Sequence, residues 1–471
     1  MFYLLTVVVV LSPLILVELG VRLFVAAPAP VTDDPYISFT GIRPLFTLDQ
    51  AAGRYRIDDD RLAAFQPQSF AAEKGENTFR VFCLGGSTVQ GRPYSVETSF
   101  TAWLELNLRA ARPETDYEVV NCGGVSYASY RLLLIMGELL GYEPDLLVVY
   151  TGHNEFLEDR TYGPIMRTRR RKAWLHNVLL KLRGYKLAHH YLVARRIERN
   201  RPAGQPQTVM SQDVQTMLDL EQGLASYKRD DMWRAGVILH FAHNLDTMVG
   251  MAMTAKVPII VVNPVSNLKD CPPFKSQPGP NVTDADIARI AALREQAARL
   301  DWSDAYGKIR LLKEAVGIDG HDAGLLFSLG TCYYRLGRYE EAKRWFVQAK
   351  DQDICPLRIL ESMRKGIRGA CSKYGAPLVD AETLIEQQSE GGIVGDDWLL
   401  DHVHPTIGGH KLIADALFAA MEDMGLTDRP EGWQQARDEL WQNHLDSLDD
   451  AYYARGVQRL KHLTEWSRGR I

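Results

Sequence analysis

Five short runs rich in Val, Ile and Leu, at 79–84, 117–121, 145–151, 257–263 and 376–380, are separated by stretches long enough for helices, among them 98–112 and 128–141. Runs that are apolar on both faces and alternate with helices fit a parallel sheet covered on both sides. This predicts an α/β chain. Ligands of such sheets bind beyond the carboxyl ends of the strands, so the chemistry belongs in the loops that leave these runs.

Three of those loops carry reactive residue types. The first run ends in Gly-Gly-Ser-Thr at 85–88, the third in Gly-His-Asn-Glu at 152–155, and Asp-His-Val-His-Pro at 401–405 precedes a C-terminal helix. Ser87 can serve as nucleophile, His404 as its base and Asp401 as the carboxylate that orients the base, while Asn154 can donate to an oxyanion. Asp401 and His404 are three apart, so one local loop can pair them. Val89 holds the place of the last glycine in Gly-x-Ser-x-Gly, which argues against a nucleophile elbow. The same loop lacks the Gly-Lys-Ser/Thr of a phosphate loop and does not fit Gly-x-Gly-x-x-Gly.

Taken in order, these segments resemble the blocks of the SGNH (GDSL-type) hydrolase family. Leu84-Gly-Gly-Ser-Thr-Val89 matches its nucleophile block, Val119-Val-Asn-Cys-Gly-Gly124 its second block, Gly152-His-Asn-Glu155 its third and Asp401 to Pro405 its last. Glu155 departs from the aspartate usual there. The resemblance covers roughly residues 77–420. It implies a three-layer, flavodoxin-like parallel sheet, a Ser87–His404–Asp401 triad and an oxyanion hole. That hole would be built from the N–H of Ser87, the N–H of Gly123 (with Gly124 as the alternative) and the Asn154 amide. No cofactor is implied.

Each of these residues has a plainer reading when taken alone. Gly-Gly-Ser after a strand is commonly a turn, Asn154 a turn or helix cap, and His404 a structural loop histidine. His153 and His402 flank the site. His402, His404 and His410 suggest a metal site only weakly, because their spacing fits no recognised ligand motif. The formal charge of −5 and a pI near 6.2 do not point to a nucleic-acid binder. Six widely spread cysteines without Cys-x-x-Cys do not form a disulfide framework.

Residues 1–27 are expected to be a membrane anchor. Residues 2–17 are almost wholly apolar, no Lys or Arg precedes them, and Glu18 and Arg22 stand four apart on one helix face. A cleaved signal peptide is the rival reading. Anchored relatives of the resembled family hold the catalytic domain outside the cytoplasm, which implies an extracytoplasmic, periplasmic location here.

Residues 28–75 show no period and read as a linker and entry segment. The hydrolase core follows at 76–282 and resumes at 366–427, where Asp401 and His404 lie. Within its first part, an insertion at 157–230 carries twelve Lys or Arg between 167 and 201 against the single acid Glu198. Trp174, Leu175, Val178, Leu179 and Leu182 recur there at helical spacing, which suits either a flanking helix or a helix lying on an anionic membrane. A second insertion, 283–365, contains Ala323-Gly-Leu-Leu-Phe-Ser-Leu-Gly330, Tyr333, Gly337-Arg-Tyr339, Ala342, Phe346 and Ala349. It resembles one and a half to two tetratricopeptide repeats, and such units often bind peptides or partner proteins. The tail, 428–471, reads as helices packing back on the core.

The leading expectation is a serine esterase acting on a carboxylic ester, such as the O-acetyl groups of an envelope glycan or a lipid ester. An O-acyltransferase acting on an exported polysaccharide uses the same machinery. A non-enzymatic scaffold that binds a partner through the repeat insertion is the third reading, and the joint presence of Ser87, Asn154, Asp401 and His404 argues against it.

Overall fold

The computed structural model describes residues 18–21, 44–158, 214 and 216–467. The chain enters through a small antiparallel sheet of β1 (Phe46–Asp49), β2 (Arg54–Ile57) and β3 (Ser69–Ala71). Sequence alone reads 28–75 as linker, because strands of three and four residues are too short to show alternation. Their stability comes from docking. Phe46, Tyr55 and Phe70 cluster with Phe82 and Tyr142 of the core, with ring centroids 4.6–6.4 Å apart. Glu138 accepts the N–H groups of Leu45 and Phe46 at 2.6 and 2.9 Å. Arg80 is buried yet paired on every side. It donates to Glu118 (2.7 Å), to the Tyr142 carbonyl (2.7 Å) and to the Ala71 carbonyl (2.8 Å). A buried cation is tolerable only when satisfied in this way.

The core runs β4 (Thr78–Gly85), a single turn α1 (Ser87–Gln90), α2 (Phe100–Ala111), β5 (Asp116–Gly123), α3 (Ser129–Leu139), β6 (Leu146–Tyr150), α4 (Asp231–Ala255) and β7 (Ile259–Asn263). Four helices follow: α5 (Asp284–Arg299), α6 (Ala305–Ile318), α7 (Ala323–Arg335) and α8 (Tyr339–Gln352). The chain then returns through α9 (Glu361–Tyr374), β8 (Leu378–Asp380), α10 (Ala381–Glu386) and α11 (Ile407–Asp423), and ends in α12 (Trp433–Asp446) and α13 (Asp450–Ser467).

The five core strands are parallel in the order β5-β4-β6-β7-β8. This is the flavodoxin-like order, with the direction of strand addition reversing between β4 and β6. Alternate residues serve opposite faces. Val81, Cys83, Val148, Ile260 and Val262 face one core with Trp103 and Leu108 of α2 and Leu417 and Phe418 of α11. The intervening Phe82, Leu84, Leu147 and Val149 are equally buried, and α3 and α9 cover the sheet at β4 and β7 and pack on α4.

α5–α8 form a separate core around Leu293, Leu312, Leu329, Tyr333 and Phe346. Gly330 admits the Phe346 ring, where a Cβ would come within 2.8 Å. The sequence boundary at 365 falls inside α9, which packs on α4 and β7 rather than on the insertion. A helix following a helix hides such a junction from periodicity. In the tail, Trp433 stacks on Phe418 and Trp441 meets Trp103 edge-on.

The anchor expected over 1–27 lies outside the described residues except for 18–21. Among the described residues no helix is long and apolar enough to cross a membrane. The basic run 167–201 also lies outside them.

Candidate active site

The candidate residues meet at the carboxyl ends of the strands, by the switch between β4 and β6. Ser87 follows β4 as the first residue of α1. Its Oγ lies 2.8 Å from His404 Nε2, and His404 Nδ1 lies 2.6 Å from Asp401 Oδ2. Asp401 Oδ1 accepts the N–H groups of Val403 (2.8 Å) and His404 (2.9 Å). Burial works against the ionised Asp401 carboxyl. His404 and His402 beside it, with these hydrogen bonds, outweigh that and hold it well below the usual carboxylate range.

The loop that carries this pair is fixed at both ends. Leu400 N–H donates to the His404 carbonyl at 2.8 Å, and Thr406 caps α11 through the Gly409 N–H. Asn267, wholly buried, braces it from the β7 side. Its backbone N–H donates to the His402 carbonyl (3.0 Å) and its amide to the Asp401 carbonyl (3.1 Å).

Asn154 leaves β6 and donates through Nδ2 to the Tyr127 carbonyl at 3.1 Å. The amide has a second N–H for a ligand. Glu155, the departure from the family pattern, is buried and accepts both the N–H and the hydroxyl of Ser129 at 2.8 Å. Asn244 of α4 donates to the same hydroxyl at 3.1 Å. Glu155 thus pins the Asn154 loop to the start of α3. Ser87, Ser126 and Asn154 are half-buried among buried neighbours, so the accessible groups are those that would face a substrate.

The second backbone donor requires a correction. The Gly123 N–H donates to the Asn121 side chain at 2.9 Å, and a Cβ on Gly123 would lie 2.3 Å from Gln90 N. Gly123 serves the close approach of α1, not an oxyanion. The alternative, Gly124, donates its N–H to the Gly85 carbonyl at 2.9 Å. Val125 and Tyr127 donate to the carbonyls of Ala64 and Gly124. Between 123 and 127 the Ser126 N–H alone has no partner among the described residues. Ser126 adopts φ +62°, a conformation that costs a non-glycine residue roughly 1 kcal/mol. Residue type gives no sign of this, because backbone direction inside a loop is not written in composition.

Three neighbouring histidines, His153, His402 and His410, are held neutral. Burial and the nearby His404 push His402 down to about 4, against the pull of Asp401, and burial pushes His410 down to about 3. His153 falls well below its ordinary value through burial and the nearby Arg364. His410 Nδ1 accepts the Phe100 N–H at 3.2 Å, a core role. Among the described residues no group of three or more His, Cys, Asp or Glu is placed to hold a metal ion. The six cysteines are free thiols.

No family model matches the chain, and no curated protein matches it. Among solved structures it is similar to a lipase/acylhydrolase from Enterococcus faecalis, at 11% identity and a TM-score of 0.33, over 75% of this chain and 99% of that one. It is also similar to a catalytic mutant of an acetylxylan esterase from Geobacillus stearothermophilus, at 12% identity and a TM-score of 0.32, over 74% of this chain and 94% of that one. A GDSL-like lipase from Bacteroides thetaiotaomicron is similar at 11% identity and a TM-score of 0.29, over 73% and 88%. At such scores the functional reading rests on the chain's own geometry.

Proposed function

We propose that this chain is a serine ester hydrolase of the SGNH type. The observation that carries the reading is the unbroken hydrogen-bonded line from Ser87 Oγ through His404 to Asp401, with the Asn154 amide on a neighbouring strand end.

Ser87 attacks the ester carbonyl as its proton passes to His404 Nε2. Asp401 keeps the Nδ1 proton in place and stabilises the imidazolium. The Ser87 N–H and the Asn154 amide receive the oxyanion, joined by the Ser126 N–H in the place expected of Gly123. His404 then protonates the leaving alcohol, and water releases the acyl group by the same route. The proposed substrates are O-acetyl groups of an envelope glycan or lipid esters, met outside the cytoplasm by a protein held at the membrane through residues 1–27.

The test is labelling with a fluorophosphonate probe, which reads serine activation without knowledge of the substrate. Wild type should label and Ser87→Ala should not. A well-folded wild type that does not label would overturn the reading. With an ester in hand, product analysis with and without a sugar acceptor separates hydrolysis (free acid) from acyl transfer (acylated sugar).

A further inference from the structure

Two consecutive residues on the way out of the helical insertion reach both halves of this machinery. α8 ends at Gln352, and residues 353–360 are buried throughout before α9 begins. The Ile359 N–H donates to His153 Nδ1 at 3.2 Å. Ile359 also packs on Gly152, where a Cβ would come within 2.6 Å of Ile359 Cδ1 and where φ is +136°. Gly152 and His153 lead directly into Asn154.

One residue earlier, Arg358 faces the other way. Its Nη1 donates to the carbonyls of Asn267 (2.8 Å) and Cys271 (2.7 Å). Asn267 is the residue that braces the Asp401–His404 loop. At the head of the segment Asp353 accepts the N–H groups of Phe274 (2.8 Å), Lys275 (3.0 Å) and Cys355 (3.0 Å), and stands 3.7 Å from Arg358. Phe274 meets His402 edge-on at 5.2 Å. These polar contacts are buried or part-buried, with those of Ile359 to His153, Arg358 to Asn267 and Cys355 to Asp353 fully so. Losing one partner leaves the other unsatisfied in low dielectric, so the links are stiff.

We propose that residues 353–360 are a positioning strap: Ile359 through His153, and Arg358 through Asn267, set the separation between the oxyanion donor Asn154 and the base His404. The helical insertion is thereby a working part of the hydrolase. This rests on the serine-hydrolase reading above. His153 and Arg358 are positioning residues, because their contacts are with the loops and not with the reacting atoms. His153 is suited to this role. Buried and neutral, it accepts at Nδ1, which places its proton on Nε2.

The experiment compares the full chain with His153→Ala, His153→Asn and Arg358→Lys, using p-nitrophenyl acetate turnover, with circular dichroism as the check on folding. A misplacement of about 1 Å costs on the order of 100-fold in rate. His153→Ala should lose kcat on that scale with little change in KM, since oxyanion contacts form in the transition state. His153→Asn should recover most of it, its Oδ1 standing where Nδ1 stood. Arg358→Lys should also lower kcat, because one ammonium replaces a planar fork. An undiminished kcat in His153→Ala, or His153→Asn as impaired as His153→Ala, would overturn the proposal. If His153→Ala does not fold, unchanged kcat in Arg358→Lys overturns it instead. Wild type that lacks Ser87-dependent labelling removes the hydrolase reading and this inference together. Labelled wild type beside unaffected variants removes this inference alone.

Discussion

A Cβ placed on Gly86 would stand 2.4 Å from Asn154 Nδ2. The residue before Ser87 and the candidate oxyanion donor thus touch across the strand order's switch point. Only hydrogen at position 86 leaves the amide where it is. Because the obstructed atom is the end of a side chain, Gly86→Ala should fold normally while displacing the amide. The expected outcome is a fall in kcat on the order of 100-fold with KM nearly constant. Steady-state kinetics beside a thermal melt would check it, and unchanged kcat would show that Asn154 takes no part.

Asn154→Ala removes the donor itself. One lost oxyanion contact costs ~100–1000-fold in kcat. Asn154 is half-buried and its amide donates to a loop carbonyl, that of Tyr127, so the melting temperature should move little. Turnover equal to wild type would sink the role.

Glu155 tests the scaffold under that donor. Glu155→Ala leaves the Ser129 N–H and hydroxyl without their buried acceptor, at a cost of roughly 1–3 kcal/mol. Both stability and kcat should fall. Denaturant unfolding reads the first and ester turnover the second. Asp in this position is a shorter carboxylate, and Glu155→Asp should retain more of both than alanine does.

Stability should weaken in mild acid. His153, His402 and His410 take up protons less readily when folded than when unfolded, where an imidazole titrates near 6.5. Between about 6.5 and about 4 the unfolded chain therefore binds more protons at these three histidines, so their contribution to stability rises with pH across that window and is lost as pH falls through it; Asp353 and Glu382, which burial pushes up to about 6 and about 7, work in the opposite sense and offset part of it. For His402 the drop from 6.5 to about 4 corresponds to on the order of 3 kcal/mol. Melting temperature against pH should show this slope, and His410→Gln should flatten it. A profile that His410→Gln leaves unchanged would mean that His410 charges freely.

Much of the sheet was legible in the sequence. β4, β6 and β7 are buried on both faces for most of their length, so their sequences are nearly continuous apolar runs, interrupted inside β4 only by the fully paired Arg80. β1–β3 were illegible because a four-residue strand held by Glu138 and an aromatic cluster owes its existence to distant residues. In the site, Ser87 and the Asp401–His404 pair could be read because their partners are side chains whose types carry the chemistry. The Gly123 donor could not, since which N–H a loop leaves free depends on whether Asn121 turns back to claim it. The strap at 353–360 gave no signal for the same reason. Its links run through backbone groups of Ile359, Asn267 and Cys271.

Ser87 and His404 stand 317 positions apart in the chain. During synthesis Ser87 leaves the ribosome long before its proposed base exists, by roughly 15–60 s at 5–20 residues per second. Through that interval Ser87 is an ordinary alcohol. On the proposed reading, the serine becomes reactive only once the His404 loop ahead of α11 has been made and docked, so the order of synthesis itself delays the activity.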